Sequence, residues 1–222
     1  MSKLKKSKRL RIPKTHHEDF LREKGFEVIC GLDEVGRGAW AGPLVAAAVI
    51  LPSPAKIKTQ NPNVKRIYNL RDSKLLTAKE REKIAKKIKK RCLWGIGEVS
   101  VEEINKWKLT KSTQKAFSRA VKKLRRKPDF ILADGFEFVS SIPCRAIKKG
   151  DMVCASIAAA SIIAKVYRDK LMRQLDREIK GYYFSQHKGY GTRLHRQCLK
   201  KLGPSKVHRM FYKSLIDNHP LD

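Results

Sequence analysis

The stretch Val28-Ile-Cys-Gly-Leu-Asp-Glu-Val-Gly-Arg-Gly38 places two adjacent carboxylates, Asp33 and Glu34, between an apolar run and a glycine-rich turn. The rest of the chain is strongly basic, with 51 Lys and Arg against 21 Asp and Glu and a formal net charge of +30. Such a charge predicts a polyanionic partner. Phosphate would be repelled by the acidic pair unless a cation lay between them, which predicts a divalent metal bridging these side chains and a nucleic-acid phosphate. This combination favours a nuclease over a protein whose charge serves only solubility.

Apolar runs and helical periodicity around this stretch predict an α/β fold: a mixed five-stranded sheet flanked by helices, with a helical segment at the C-terminal end. Two apolar runs joined by the glycine-rich connection suggest a hairpin, and Thr77 with Glu80 three residues later forms a capping box that starts a helix. In chain order we expect strands at 26–32 and 44–51, a helix at 77–91, a strand at 93–100, a helix at 101–127, strands at 130–133 and 142–148, and a long helix at 153–179.

Length and composition predict one domain with a basic extension. Residues 1–26 form the extension, which we expect to be flexible apart from one short helix, and residues 27–222 form the catalytic domain with C-terminal helices from about 191. The five cysteines lack the spacing of a zinc site or a disulfide framework, which indicates a reducing, cytoplasmic setting. No apolar tract is long enough to cross a bilayer, so we expect no membrane partner. We expect a monomer, because no stretch is typical of a dimerisation face.

Two further acidic residues occupy positions where strands and helices meet. Asp134 follows the apolar strand predicted at 130–133, and Asp151 precedes the long helix. If this strand lies beside the strand that carries Asp33 and Glu34, the carboxyl ends converge and offer the hard oxygen ligands that magnesium or manganese requires. On the residues alone, a strand-ending turn at Asp134 and a helix N-cap at Asp151 are the favoured alternatives for these two. For Asp33 and Glu34 we favour function.

Several motifs together resemble those of bacterial ribonuclease HII over roughly residues 27–215. They are Gly31-Leu-Asp-Glu-Val-Gly-Arg-Gly38, Asp72-Ser-Lys74, Ala133-Asp-Gly135, Lys149-Gly-Asp151, Ser156-Ile-Ala-Ala-Ala-Ser-Ile-Ile-Ala-Lys-Val-Tyr-Arg-Asp169 and His187-Lys-Gly-Tyr-Gly-Thr192. The related ribonuclease HIII usually carries Gly-Thr-Gly at the glycine-rich turn and an extra amino-terminal domain, for which residues 1–26 are too few.

The resemblance implies a ribonuclease H-like fold and a metal-dependent endonuclease. Its substrates would be RNA–DNA hybrids, cut in the RNA strand, and duplex DNA with embedded ribonucleotides, incised on their 5′ side to leave 3′-hydroxyl and 5′-phosphate ends. It also implies that Asp33, Glu34, Asp134 and Asp151 hold two Mg²⁺ or Mn²⁺ ions, one to activate water and one to stabilise the leaving oxygen.

The resemblance further implies how the substrate is recognised. The turn Gly36-Arg37-Gly38 would read the 2′-hydroxyl through backbone groups, which requires glycine for close approach. Tyr190 would press on the neighbouring sugar, and the glycines on either side of it favour this role over packing on the sheet. Contacts to phosphate are expected from Lys74, Lys165, Arg168 and His187. Lys165 and Arg168 could equally be the solvated end of the long helix, with Lys165 paired to Asp169, and His187 could equally order its loop.

The chain departs from the family pattern at Trp40, where a smaller residue is common, and in its basic extension. Two rival functions come from other classes of protein. A non-catalytic RNA-binding or ribosome-associated protein would explain the charge but not the converging acids. A different two-metal nuclease, such as a junction resolvase, would share the acids but has no reason to carry Gly36-Arg37-Gly38 together with Tyr190.

Overall fold

A five-stranded sheet of mixed direction, with strand order β3-β2-β1-β4-β5, forms the centre of the molecule. The computed structural model describes residues 13–52 and 76–212. The strands are β1 (Ile29–Val35), β2 (Leu44–Ile50), β3 (Leu93–Val99), β4 (Phe130–Asp134) and β5 (Cys144–Ile147). The helices are α1 (His16–Glu23), α2 (Ala78–Arg91), α3 (Val101–Lys122), α4 (Gly150–Val153), α5 (Ala155–Glu178), α6 (Phe184–His187) and α7 (Arg193–Leu202), followed by a 3₁₀ turn at Met210–Tyr212.

The pairing of the strands confirms the predicted hairpin and places β4 in a central, parallel position. β2 pairs antiparallel with both β1 and β3, whereas β4 lies between β1 and β5 and is parallel to both. In the β1–β4 register Leu32 is opposite Ala133. The next residues along the two strands are Asp33 and Asp134, so the two carboxylates come to the same edge of the sheet.

β1 is longer than the sequence indicated. The expected strand ended at Leu32, but the ladder with β2 continues until Val35 pairs with Val45. Pairing with a strand as apolar as β2 carries β1 beyond its own apolar run. Asp33 and Glu34 therefore lie inside the strand and not after it, and successive side chains of a strand point to opposite faces of the sheet.

Helices cover both faces of the sheet. One face packs against α2 and α5, through side chains that include Val45, Val49, Ile88 and the buried tract at 158–160. The other face packs against α3, through a cluster that includes Phe117. The alanine tract of α5 at 158–160 thus packs on the sheet.

Capping boxes start the two helices that flank β3. Thr77 and Glu80 bond reciprocally at the start of α2 as predicted, and Ser100 and Glu103 do the same for α3. α3 ends at Lys122, earlier than expected, and its helical path is interrupted at Lys108, where φ is 62°. The helix predicted at 153–179 is confirmed as α5, and Val153 belongs to the separate short helix α4, because Cys154 is extended between the two.

Part of the amino-terminal extension is docked on the domain. Glu18 in α1 is 1% exposed, and its Oε1 accepts a hydrogen bond of 2.7 Å from the Ser156 N–H in the first turn of α5. A carboxylate at this position satisfies a free N–H and complements the helix dipole. Leu21 packs in the core beside Ile29. These contacts hold α1 against β1 and the start of α5.

The described residues bear on two expectations from composition, which concern the cysteines and the length of apolar helices. All five cysteines are free, and every one except Cys144 is buried. Within residues 13–52 and 76–212, no helix combines the length and the apolar character needed to cross a membrane.

Candidate active site

A pocket of about 560 Å³ opens where β1 and β4 end. It brings together all four predicted acids with the three residues of the glycine-rich turn, Lys165 and Tyr190. The described residues that line it are Asp33, Glu34, Val35, Gly36, Arg37, Gly38, Arg81, Asp134, Asp151, Ser161, Lys165 and Tyr190. Strand pairing explains this convergence, since parallel neighbours present their carboxyl ends at the same edge.

Asp33 is the most enclosed member of the β1 pair, at 7% exposure. Its Oδ1 accepts a hydrogen bond of 2.7 Å from the Glu34 N–H, and the Ser161 hydroxyl of α5 donates to the same carboxylate. Burial raises the pKa of Asp33 well above its usual value, and the neighbouring carboxylates of Glu34, Asp134 and Asp151 raise it further. The Ser161 bond opposes this shift. A cation at this carboxylate would relieve the same repulsion.

Glu34 has a raised pKa and a buried oxygen without a partner. Burial raises the pKa of Glu34 from 4.5 to about 7, with a further increase from Asp134, while the Arg37 guanidinium opposes the shift. Among the described residues, nothing donates a hydrogen bond to the buried Oε2 of Glu34. A buried carboxylate oxygen of this kind is costly unless a proton or a cation meets it.

The other two carboxylates come from β4 and α4. Asp134 ends β4, and its Oδ1 accepts a hydrogen bond of 2.7 Å from the Gly150 N–H, which fixes the start of α4 against the strand. Asp151 follows in α4 and is 2% exposed. The N-cap positions of α4 and α5 are Lys149 and Cys154. Asp151 is therefore not an N-cap, and that structural alternative is removed.

The chemistry of this donor set fits a divalent cation that shares its ligands with a substrate. All four donors are carboxylates, which magnesium and manganese prefer. Within the described part of the chain, no three His, Cys, Asp or Glu side chains form a group that could hold a metal ion by themselves. Mg²⁺ sites in phosphate-processing enzymes commonly use one or two carboxylates, water and substrate phosphate. The open pocket beside Glu34 leaves room for such a shared site.

The two glycines of the turn differ in what they require. Gly36 has φ of +87°, and a Cβ there would lie 2.1 Å from Nε of Arg168. Gly38 has no positive φ, and a Cβ there would have no described atom within 4 Å. The fold therefore requires glycine at 36 and leaves open space at 38, a residue that also lines the pocket.

Arg168 lies beneath this turn, fully buried, and not at the surface. Its Nε donates to the Pro43 carbonyl at 2.9 Å, its Nη1 to the Lys188 carbonyl at 2.9 Å and its Nη2 to the Ala41 carbonyl at 3.1 Å. The expected phosphate contact of Arg168 does not fit a side chain buried in this way. The same burial removes the alternative of a solvated helix end.

The loop that carries Tyr190 is fixed by His187 and by two glycines. His187 is buried; its Nε2 lies 2.6 Å from the Tyr182 carbonyl, and its Nδ1 accepts from the Gly189 N–H, so it orders the loop and does not face the pocket. A Cβ at Gly189 would lie 2.3 Å from the Ala41 carbonyl, and one at Gly191 would lie 2.4 Å from the Trp40 ring. Packing against residues 40–41 thus requires both glycines, which corrects the idea that they serve substrate approach.

Sequence reasoning missed two polar residues of the pocket. Ser161 interrupts an otherwise apolar, buried tract of α5, and that interruption is a signal that could have identified it. Arg81 in the first turn of α2 also lines the pocket, but nothing distinguishes it in sequence from the many other basic residues. Lys165 lines the pocket, and its ammonium forms the ion pair of 2.6 Å with Asp169 that the structural alternative expected. The predicted contact of Lys74 falls outside the described residues.

Comparison with known proteins identifies the family. A family model described as Ribonuclease HII matches residues 30–215. The ribonuclease HII of Chlamydia caviae is 46% identical over 200 residues, which cover 89% of this chain and 90% of that protein. The chain belongs to the ribonuclease HII family. It is accordingly an endoribonuclease of the ribonuclease H type, and membership of this family implies cleavage of RNA–DNA hybrids.

Solved structures show the same fold. A ribonuclease HII from Archaeoglobus fulgidus, solved in a complex with PCNA, matches with a TM-score of 0.68 and 25% identity, over 87% of this chain and 98% of that one. The ribonuclease H2 of Pyrococcus horikoshii matches with a TM-score of 0.67 and 24% identity, over 86% and 98% of the two chains. These likenesses confirm the ribonuclease H-like fold predicted from the sequence.

The raised pKa of Glu34 predicts how the stability of this ribonuclease HII family member depends on pH. The folded protein keeps the proton of Glu34 up to about pH 7, whereas the unfolded chain releases it near 4.5, so ionisation costs the folded state free energy as the pH rises through this window. Without metal, Glu34→Gln should be about 1–3 kcal/mol more stable than wild type near pH 8, with no gain near pH 4. Urea unfolding of both proteins in EDTA measures this, and a gain equal at both pH values contradicts it.

Proposed function

We propose that this chain hydrolyses the RNA strand of RNA–DNA hybrids and incises duplex DNA on the 5′ side of an embedded ribonucleotide, leaving 3′-hydroxyl and 5′-phosphate ends. The observation that carries the proposal is a single pocket in which four carboxylates face a glycine-rich turn with open space at Gly38 and a tyrosine at 190. Carboxylates alone are common to many nucleases. Their combination with groups suited to a ribose hydroxyl gives the ribonucleotide preference.

The four acids are proposed to hold two divalent ions, Mg²⁺ or Mn²⁺, against the scissile phosphate. When bound, these ions supply a nucleophilic water and neutralise charge that develops on the phosphate. The protein's part is to fix the oxygens. Ser161 and the Glu34 N–H orient the carboxylate of Asp33, and the Gly150 N–H orients Asp134. Glu34 lines the same pocket, and within the described residues its buried Oε2 has no hydrogen-bond partner.

The turn and Tyr190 are proposed to recognise the ribose. Open space at Gly38 lets a sugar come close to the backbone, whose N–H and C=O groups can bond a 2′-hydroxyl that DNA lacks. Tyr190 lines the same pocket, and the Arg168 guanidinium lies 5.6 Å from its ring centroid on the protein side. Arg37 stacks on Phe136, with its guanidinium 4.8 Å from the ring centroid, and so leaves the backbone of the turn to face the substrate.

Phosphate contacts are proposed for the lysines near the pocket. Lys165 lies on the pocket wall with its ammonium bonded to Asp169, which holds the cation at a fixed place. The basic faces of α2 and α3 would add affinity that depends on salt and not on sequence. Lys74 keeps the same proposed role on the strength of the family motif.

Replacing Tyr190 by alanine is expected to reduce cleavage at a lone ribonucleotide by about 10–100-fold, through the loss of a stacking and positioning group. Binding to the duplex should change little, because phosphate contacts supply most of the affinity. Single-turnover rates and fluorescence anisotropy on the same duplex separate these two effects. Collapse of binding would show that Tyr190 serves affinity and not the positioning of the sugar.

A panel of substrates of equal length tests the proposed function. We expect cleavage of an RNA–DNA hybrid and of a DNA duplex with one ribonucleotide, and none of duplex RNA, duplex DNA or a four-way DNA junction. Cleavage of the junction would favour a different two-metal nuclease. Tight binding to the panel without any product in Mg²⁺ or Mn²⁺ would favour a binding protein and assign the acidic cluster to structure.

A further inference from the structure

Residues 205–209, far from the acids in sequence, bond to one half of the proposed ribose site at Arg37 and reach the other half, at Tyr190, through His195. We propose that this 205–209 segment is a positioning element for ribonucleotide recognition: Arg209 sets the backbone of the turn at Arg37, and His208 sets the backbone of Tyr190 through His195. The inference rests on the proposed function of the pocket. It adds residues to which neither the motifs nor the pocket lining assigned a role.

Arg209 is a fully buried guanidinium that bonds to backbone carbonyls. Its Nη1 donates to the Arg37 carbonyl at 3.0 Å, while Nε and Nη2 both donate to the Gly42 carbonyl, at 3.1 and 2.9 Å. Placing a cation in the interior is costly, and these bonds offset that cost only while the two carbonyls stay in place. The position of the Arg37 peptide and the burial of Arg209 therefore depend on each other.

The bond to Arg37 also sets the direction of the next N–H. The Arg37 carbonyl and the Gly38 N–H belong to one peptide group, and the described residues contain no cis peptide. In a trans peptide the two groups point in opposite directions. With its C=O directed to Arg209 inside the protein, the peptide directs the Gly38 N–H away from Arg209. Gly38 lines the pocket, so this N–H is available to a ribose oxygen there.

A second connection runs from Ser205 to Tyr190 through two histidines. The Ser205 N–H donates to Nδ1 of His208 at 2.9 Å, so in the neutral ring Nε2 carries the proton. Nε2 of His208 lies 3.0 Å from Nε2 of His195, which must then accept. Nδ1 of His195 consequently carries a proton and donates it to the Tyr190 carbonyl at 3.0 Å. The Ser205 N–H thus determines the direction of every hydrogen bond from His208 to Tyr190.

Burial of the two histidines keeps this series of hydrogen bonds intact. His195 and His208 are 0% and 1% exposed. Burial lowers the pKa of His195 to about 3 and that of His208 to about 4, so both rings are neutral near pH 7. Neutral rings retain one donor and one acceptor each, which the chain of bonds requires.

Backbone bonds hold the segment between the two halves of the site. The Gly42 N–H donates to the Val207 carbonyl at 2.9 Å, and the Arg209 N–H donates to the Trp40 carbonyl at 2.8 Å. Trp40 in turn donates its N–H to the Gly189 carbonyl at 2.8 Å. The turn, the 205–209 segment and the Tyr190 loop therefore form one connected unit, and a change in the segment reaches both recognition elements.

The first test uses Arg209→Lys, because one ammonium cannot bond to both carbonyls as the planar guanidinium does. Affinity is measured for a duplex with one ribonucleotide and for the matching all-DNA duplex, in Ca²⁺ and with the absence of product checked on a gel. We expect the wild-type preference for the ribonucleotide to fall by about tenfold, while all-DNA affinity changes by less than about twofold. Ile88→Ala, a change at a buried residue of α2, is the control that loses stability and keeps the preference.

A matched pair at His208 provides a second test that does not depend on Arg209. Glutamine places an N–H near the position of Nε2 and can still donate to His195, whereas asparagine can accept from the Ser205 N–H but does not reach His195. We expect His208→Gln to keep more of the single-turnover cleavage rate at the ribonucleotide than His208→Asn, because this connection ends at Tyr190. A wild-type binding preference in Arg209→Lys together with a wild-type cleavage rate in His208→Asn overturns the inference. Failure of the wild-type protein to cut the ribonucleotide duplex in Mg²⁺ or Mn²⁺ would instead contradict the proposed function itself.

Discussion

Asp33→Asn is expected to lower the rate of cleavage by at least about 10³-fold and, at the same time, to raise the stability of the metal-free protein. Asparagine keeps the shape of the side chain and an oxygen that can accept the Glu34 N–H. It removes a negative charge that is buried among three other carboxylates. The same charge is proposed to bind the cation during catalysis, so one substitution should have opposite effects on activity and stability.

A control at the other end of the sheet distinguishes the effect of losing Asp33 from the effect of losing any carboxylate. Asp129 accepts hydrogen bonds of 3.0 Å from the Val28 N–H, before the start of β1, and does not line the pocket. Asp129→Asn should keep nearly full activity and should not be stabilised. For both variants, single-turnover experiments with metal give the cleavage rate, and urea unfolding in EDTA gives the stability of the metal-free protein. Loss of stability in Asp33→Asn together with retained cleavage would contradict the role proposed for Asp33.

Gly38→Ala is expected to fold normally and to lose cleavage at a ribonucleotide by about 10²-fold. The structure has open space for the added methyl group and no positive φ at this residue, so the folded protein should be as stable as wild type. The methyl group would occupy the surface along which the sugar is proposed to approach. The loss should therefore appear in the rate and in ribonucleotide preference.

Gly36→Ala is the matched comparison, two residues away. A Cβ there meets Arg168 and requires an unfavourable positive φ, so this variant should be destabilised by about 1–3 kcal/mol. Thermal unfolding should show Gly38→Ala near wild type and Gly36→Ala destabilised, and cleavage rates are measured for both variants. If Gly38→Ala cleaves at the wild-type rate, close approach to the backbone at this position is not part of recognition.

Local patterns in the sequence were sufficient to predict most of the fold. The capping box of Thr77 and Glu80, the apolar run of β2 and the short apolar strand β4 each specify an element through neighbouring residues alone. The sequence made the convergence of Asp33 with Asp134 conditional on β1 lying beside β4, and the parallel pairing of the two strands meets that condition. The extension of β1 did not follow, since it depends on pairing with β2.

The hydrogen-bond partners of buried polar side chains could not be predicted from local patterns. Arg168 bonds to Pro43, which is 125 residues away in sequence, and Glu18 reaches across 138 residues to the start of α5. In sequence these residues look like any basic or acidic residue on a helix. Tertiary contacts alone determine that they are buried. Gly191 is a further example, because glycine is required there by a tertiary contact with the Trp40 ring.

The most direct measurement is the position of the cut in a labelled DNA duplex that contains one ribonucleotide, in Mg²⁺ or Mn²⁺, beside an all-DNA duplex and an Asp134→Asn variant. Asparagine at 134 can still accept the Gly150 N–H, so the variant should keep its fold. We expect a single nick on the 5′ side of the ribonucleotide with 3′-hydroxyl and 5′-phosphate ends, no cut in all-DNA duplex, and no nick by the variant. A nick of equal rate in the variant, or cutting of both duplexes alike, would contradict the proposed site and its selectivity.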